Sequence, residues 1–236
     1  MGHRHRPQIL RTRLEFRLLV LPALYPILDT AALAARNCAV ENAADALLEA
    51  GAGILQFRHK GPFTRGVFST AERIAEMCRQ AGAIYVIDDR AEIALALNAG
   101  VHLGQDDLPP RDARRIVGPR RVIGFSTHNE EQLRSAADEP ADYIALGPIF
   151  ATGSRENPDP ALGIEELRRL RPLSERPLVA IGGITLETAG AVRAAGADSA
   201  ALIGALLPDP CTKAGIRRRA EVLLAATSRG CHNFHA

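Results

Sequence analysis

The chain has 236 residues, 47% of them hydrophobic, with aromatics at 4% and no Trp, which suits one large domain with a core of Ala, Leu, Ile and Val. The net charge of +2 is gathered at the front, where Arg4, Arg6, Arg11, Arg13 and Arg17 face Glu15 alone, so the body is slightly acidic and is not a nucleic-acid-binding surface. Cys38, Cys78, Cys211 and Cys231 are scattered without a CxxC pair, which argues against a zinc site or a redox motif and fits reduced thiols in the cytoplasm.

Residues 1–20 read as a basic leader. The run Leu18-Leu19-Val20-Leu21 is cut by Pro22, and no stretch is long enough to span a bilayer, so no membrane segment is expected. From there short β-rich runs alternate with Ala/Leu/Glu/Arg stretches. The expected strands are Leu24–Asp29, Gly53–Lys60, Ile84–Asp89, Gly100–Gly104, Val122–Thr127, Tyr143–Pro148, Leu178–Gly182 and Ser199–Gly204. Helical patterns fall between them, as at Glu41–Ala50, Thr70–Ala81, Glu130–Ala137, Ile164–Leu170 and Leu186–Ala195. Eight strand–helix alternations predict a parallel sheet closed as a single (β/α)8 TIM barrel over residues 21–210, with a last helix and tail over 211–236. The tail holds Cys231, His232 and His235, read as an end rather than a metal site. Ala-Gly-Ala recurs at 50–52, 81–83 and 195–197, where Gly supplies the left-handed helix cap before a strand.

In such a barrel, chemistry belongs to the C-terminal ends of the strands. The second strand ends with Gln56, Arg58 and Lys60 on one face, a cationic set suited to phosphate or to ordinary salt bridges. The third ends in Asp88-Asp89, adjacent carboxylates of which one need face the mouth. The fourth leads into Asp107. Carboxylates near a phosphate site suit Mg2+; helix N-caps or an acid/base pair are the other readings. The fifth ends in Ser126-Thr127-His128, with His128 taken as a surface cap. Thr152, Ser154 and Arg155 lie in the Gly/Pro-rich loop after the sixth strand, and Gly182-Gly183 and Ile203-Gly204 end the seventh and eighth. The glycines let backbone N–H groups approach a phosphate. Two anion sites at one mouth fit a pyrophosphate leaving group and a phosphorylated acceptor.

These residues resemble those of the thiamine phosphate synthase family, from about Leu24 to about Leu207. The likeness rests on Gln56-x-Arg58-x-Lys60, His102-x-Gly104-Gln105-x-Asp107, Gly124-Phe125-Ser126-Thr127-His128, Asp142-Tyr143 and Ile181-Gly182-Gly183-Ile184. The resemblance implies loss of pyrophosphate from a hydroxymethylpyrimidine pyrophosphate and capture of the cation by a thiazole phosphate. It implies Mg2+ on Asp89 and Asp107. Gln56, Arg58, Lys60, Asp88, Ser126 and Arg155 would line the pyrimidine pyrophosphate site; Thr152, Ser154, Gly183, Ile203 and Gly204 would line the thiazole phosphate site. Of these, Arg58, Lys60, Ser126 and Arg155 are the expected catalytic groups. The chain departs from the family at Asp88, where Asn is usual, at Ser154-Arg155, where Thr-Lys is usual, and at Gly204, where Ser is usual. The resemblance implies small-molecule partners and leaves homo-oligomerisation open. Two alternatives stand beside it: a thiazole tautomerase of the same family acting through His128, and a phosphate-ligand sensor without catalysis.

Overall fold

The structure is a computed structural model that describes residues 19–152 and 159–228; the leader up to residue 18, Ser154, Arg155 and the tail from 229 lie outside the described residues. Eight parallel strands close on themselves in chain order, β1 (Leu24–Asp29), β2 (Ile54–Arg58), β3 (Ile84–Asp88), β4 (Gly100–Leu103), β5 (Ile123–Thr127), β6 (Tyr143–Leu146), β7 (Leu178–Ile181) and β8 (Ser199–Leu202). The seam pairs Leu24 with Ala200 and Pro26 with Leu202. Helices α1 (Thr30–Ala34) and α2 (Val40–Glu49) follow β1, and α3 (Arg65–Ala81) follows β2. Then α4 (Ala91–Ala96), α5 (Pro110–Val117), α6 (Glu130–Ser135), α7 (Gly163–Leu170), α8 (Ala189–Ala194) and α9 (Lys213–Ser228) follow β3 to β8 in turn. The expected barrel is the observed one.

All six residues of β1 are buried, because helices cover one face of the strand and the barrel interior covers the other. The period-2 alternation divides the core in two. Leu24 and Leu28 point outward into the layer under the helices, whereas Tyr25 and Ile27 point inward with Leu21, Ile54, Val86, Tyr143 and Val179. Local chemistry fixes the ends of elements. Asp29 closes β1 and caps α1 by accepting from Ala32 N at 2.8 Å. Thr64 caps α3, and Asn129 caps α6. Gly51, Gly82 and Gly196 take the positive φ expected of the Ala-Gly-Ala turns.

Several expected strands are too long by one or two residues at the functional end. The second stops at Arg58 and the third at Asp88, so Lys60 and Asp89 stand on turns above the barrel. Helix α8 begins at Ala189 rather than Leu186, because Thr185 N donates to Thr188 Oγ1 and holds those residues in a turn.

Candidate active site

The strand ends open into a cleft of about 620 Å³ at the C-terminal mouth. It brings together Gln56, Arg58, Lys60, Asp88, Asp89, Asp107, Ser126, Thr152, Gly183, Ile203 and Gly204, every expected site residue that is described.

One side is charged. Arg58, on the last residue of β2, pairs with Asp29 at the end of β1. Lys60 reaches back from its turn to Asp89, with Nζ 2.8 Å from Asp88 Oδ2. Asp89 adopts φ 62°, a left-handed conformation that Asp tolerates better than most side chains. Its N–H donates to His102 O at 2.8 Å. The chain has left strand geometry there, so alternation no longer applies. Both Asp88 and Asp89 face the mouth, where the sequence required only one. Asp107 comes from the turn after β4 and accepts from Gly104 N at 2.7 Å. It is not the cap of α5; Pro109 holds that position.

Burial, and then the charge of Asp89, pushes the Asp88 carboxyl up to about 6 against the pull of Lys60 and Arg58. Burial also raises Asp107; the Gly104 N–H opposes it and Asp89 adds to it. Burial works against the charge on Lys60, yet Asp88 and Asp89 outweigh it and hold the ammonium above its usual range. Asp88 Oδ2 lies 2.8 Å from Lys60 Nζ and 3.5 Å from Arg58 Nε, so the buried carboxylate is met by one ammonium and the edge of one guanidinium. Asp88, Asp89 and Asp107 line the same side of the cleft, carboxylates of the kind that bind a divalent cation. Among the described residues no group of three His, Cys, Asp or Glu is placed to hold a metal ion, so a cation here would lean on fewer protein ligands. Mg2+ is commonly bound through one or two carboxylates, with water and substrate oxygens completing its shell.

The opposite wall is made of backbone. Gly182 and Gly183 have φ 95° and 62°, and a Cβ on Gly183 would stand 2.5 Å from Ala151 O. Gly204 opens a short 3-10 turn over Gly204–Leu206, and a Cβ there would meet nothing within 4 Å. Two groups that sequence reasoning missed belong to the site. Arg219, on α9, lines the cleft beside Ala205. Asp29 lies beneath the charged side and holds Arg58. An acid closing a barrel strand was the available signal for Asp29, whereas nothing local marks Arg219. His128, expected as a surface cap, also lines the cleft; its Nδ1 donates to Gly147 O at 2.6 Å and lies 3.6 Å from Asp159 Oδ2.

The sequence profile described as thiamine monophosphate synthase matches residues 24–206. A thiamine-phosphate synthase of Koribacter versatilis is 44% identical over 199 residues, covering 83% of this chain and 94% of that one. One of Chlorobium phaeovibrioides is 44% identical over 183 residues, covering 76% and 85%. Among solved structures, the thiamine phosphate pyrophosphorylase of Pyrococcus furiosus superimposes with a TM-score of 0.76 at 30% identity, covering 89% of this chain and 98% of that one. Barrel, cleft and sequence agree, and the chain belongs to the thiamine monophosphate synthase family.

Proposed function

We propose that the protein joins hydroxymethylpyrimidine pyrophosphate to a thiazole phosphate, releasing pyrophosphate and forming thiamine phosphate. The observation that carries this reading is the division of one cleft into a cationic, carboxylate-lined side and a glycine-built side. The methylene carbon–oxygen bond to pyrophosphate breaks with its electron pair leaving on oxygen. The thiazole nitrogen lone pair then bonds to the carbon. No protein nucleophile is needed.

Arg58 and Lys60 receive the departing pyrophosphate as charge grows on it, fixed in place by Asp29 and by Asp88 and Asp89. Asp89 and Asp107 would hold Mg2+, which would supply charge neutralisation to the leaving group. Gln56, Asp88 and Ser126 complete the pyrimidine pyrophosphate side. Gly183, Ile203 and Gly204 offer backbone N–H groups to the thiazole phosphate, with Thr152 and Arg219 beside them. Ser154 and Arg155 complete the two sites from the loop after β6, with Arg155 supplying positive charge to pyrophosphate. Holding two reactants side by side in one cleft removes much of the entropic barrier. We place the reaction in the cytoplasm, and we assign residues 1–20 to a leader and 211–236 to the closing helix and tail. No helix among the described residues is long and apolar enough to cross a membrane.

The test is to mix the protein with both phosphorylated heterocycles and Mg2+ and assay thiamine phosphate. No product from folded protein would overturn the proposal. His128 in the cleft keeps the tautomerase alternative concrete; isomerisation of the thiazole phosphate without any pyrimidine substrate would favour it. Binding of both substrates without turnover would favour the sensor.

A further inference from the structure

A chain of hydrogen bonds runs through the barrel interior to Ser126. Gln56 Nε2 donates to Tyr25 Oη at 3.2 Å, and Tyr25 Oη meets Tyr143 Oη at 2.8 Å. Tyr143 Oη meets His102 Nδ1 at 3.0 Å, and His102 Nε2 meets Ser126 Oγ at 2.9 Å. All five side chains are buried, and burial above all keeps both phenols protonated, raising Tyr25 and Tyr143 well above their usual range. Gly124 makes the arrangement possible, because a Cβ there would overlap Tyr143 Oη and His102 Nδ1.

Proton counting gives this chain a direction. Gln56 Nε2 can only donate, and a phenol has one proton to give. If Tyr143 donated to Tyr25, Tyr25 would accept twice and neither bond at its hydroxyl would use its own proton. In the other order every donor has an acceptor. Tyr25 gives to Tyr143, Tyr143 gives to His102 Nδ1, and His102 therefore carries its proton on Nε2 and gives it to Ser126 Oγ. The Ser126 oxygen is then occupied as an acceptor, and its own proton is left for the cleft that the residue lines. A donor aimed into the cleft is what an anionic oxygen requires.

We infer that Tyr25, Tyr143 and His102 are positioning residues that lock the Ser126 hydroxyl as a hydrogen-bond donor to the pyrophosphate-bearing substrate, with the Gln56 amide setting the direction; this rests on the reading of Ser126 as a contact to that substrate. Tyr143→Phe removes only the hydroxyl in the middle of the chain. Nothing in the chain then holds the His102 proton on Nε2, and the Ser126 hydroxyl is able to donate to Nε2 instead of into the cleft.

The experiment compares single-turnover rates of wild type, Ser126→Ala, Tyr143→Phe and the double variant, with both heterocyclic substrates and Mg2+, after circular dichroism melts establish folding. Ser126→Ala is expected to slow the reaction on the scale of one lost electrostatic donor, ~10²-fold. Tyr143→Phe is expected to slow it roughly tenfold, since the donor is misdirected rather than removed. The double variant is expected to be no slower than Ser126→Ala alone, a cancellation that a packing role would not produce. Losses that multiply, or wild-type turnover in Tyr143→Phe, overturn the relay. Wild-type turnover in Ser126→Ala overturns the substrate contact and the relay with it. Should Tyr143→Phe not fold, Tyr25→Phe paired with Ser126→Ala decides in the same way, with a smaller slowing because the Tyr143 hydroxyl remains able to donate to His102 Nδ1.

Discussion

A buried carboxylate beside other carboxylates is stable as an anion only when cations meet it, and Asp88, Asp89 and Asp107 share just Lys60 and the edge of Arg58 among the described side chains. Asp89→Asn or Asp107→Asn should cut turnover by ~10²-fold, the scale of one preorganised electrostatic contact, and raise the Mg2+ concentration needed. Asn suits position 89 because, like Asp, it tolerates the left-handed φ of 62°. Rate against Mg2+ concentration, with an EDTA control, checks both; unchanged Mg2+ dependence removes these two residues from the metal. Asp88→Asn should behave differently. It relieves crowding and restores the residue usual in the family, so most turnover should survive in the same assay. Across the cleft, Arg219→Ala should raise KM for the thiazole phosphate by roughly ten- to a hundredfold, since a charge-assisted hydrogen bond is worth ~1.5–3 kcal/mol. KM for the pyrimidine substrate should hold still, and equal change in both would place Arg219 outside the phosphate site.

The loops after β7 and β8 use glycine for different reasons, which makes them separable. Gly183 sits at φ 62° against Ala151 O and Phe150, so Gly183→Ala should distort the loop after β6 and cost both stability and turnover, by ~1–3 kcal/mol in the melt. Gly204 faces open space, so Gly204→Ser should leave stability within about 0.5 kcal/mol and lower KM for the thiazole phosphate by adding a hydroxyl. Melting curves and KM values for the two variants check this contrast. Such elements differ in how far the sequence reveals them. β1 is readable to the residue because Pro22 and Asp29 bracket a run buried on both faces. The order of the eight strands follows from their alternation with helices, and Gln56, Arg58 and Ser126 follow from where those strands stop. The position of Asp89 does not follow, because the chain turns left-handed after Asp88 where strand alternation would send the side chain away. Nor does that of Arg219, which reaches the cleft only through the way α9 packs between α2 and α8 and against the turn Gly204–Leu206.

Taken whole, the barrel is filled from below by apolar side chains and from above by the hydrogen-bonded chain ending at Ser126. Leu21 belongs to the lower filling and is only 7% exposed, with Leu19 packed beside it. Deleting residues 1–18 should therefore leave turnover and melting unchanged. Deletion through Leu21 should lower stability by ~1.5–3 kcal/mol, the worth of one buried leucine, and comparative melts of the two truncations check the difference. The absence of Trp has a further consequence. The chain has three tyrosines, and Tyr25 and Tyr143 stand in contact, ring centroids 5.8 Å apart, within the chain that ends at Ser126. The third, Tyr85, donates to Ala71 O beneath α3. With no indole to mask them, these phenols dominate the intrinsic ultraviolet emission. The protein thus carries a built-in optical reporter, and titrating the pyrimidine substrate should change the emission through the two interior phenols while Tyr85 supplies a constant background.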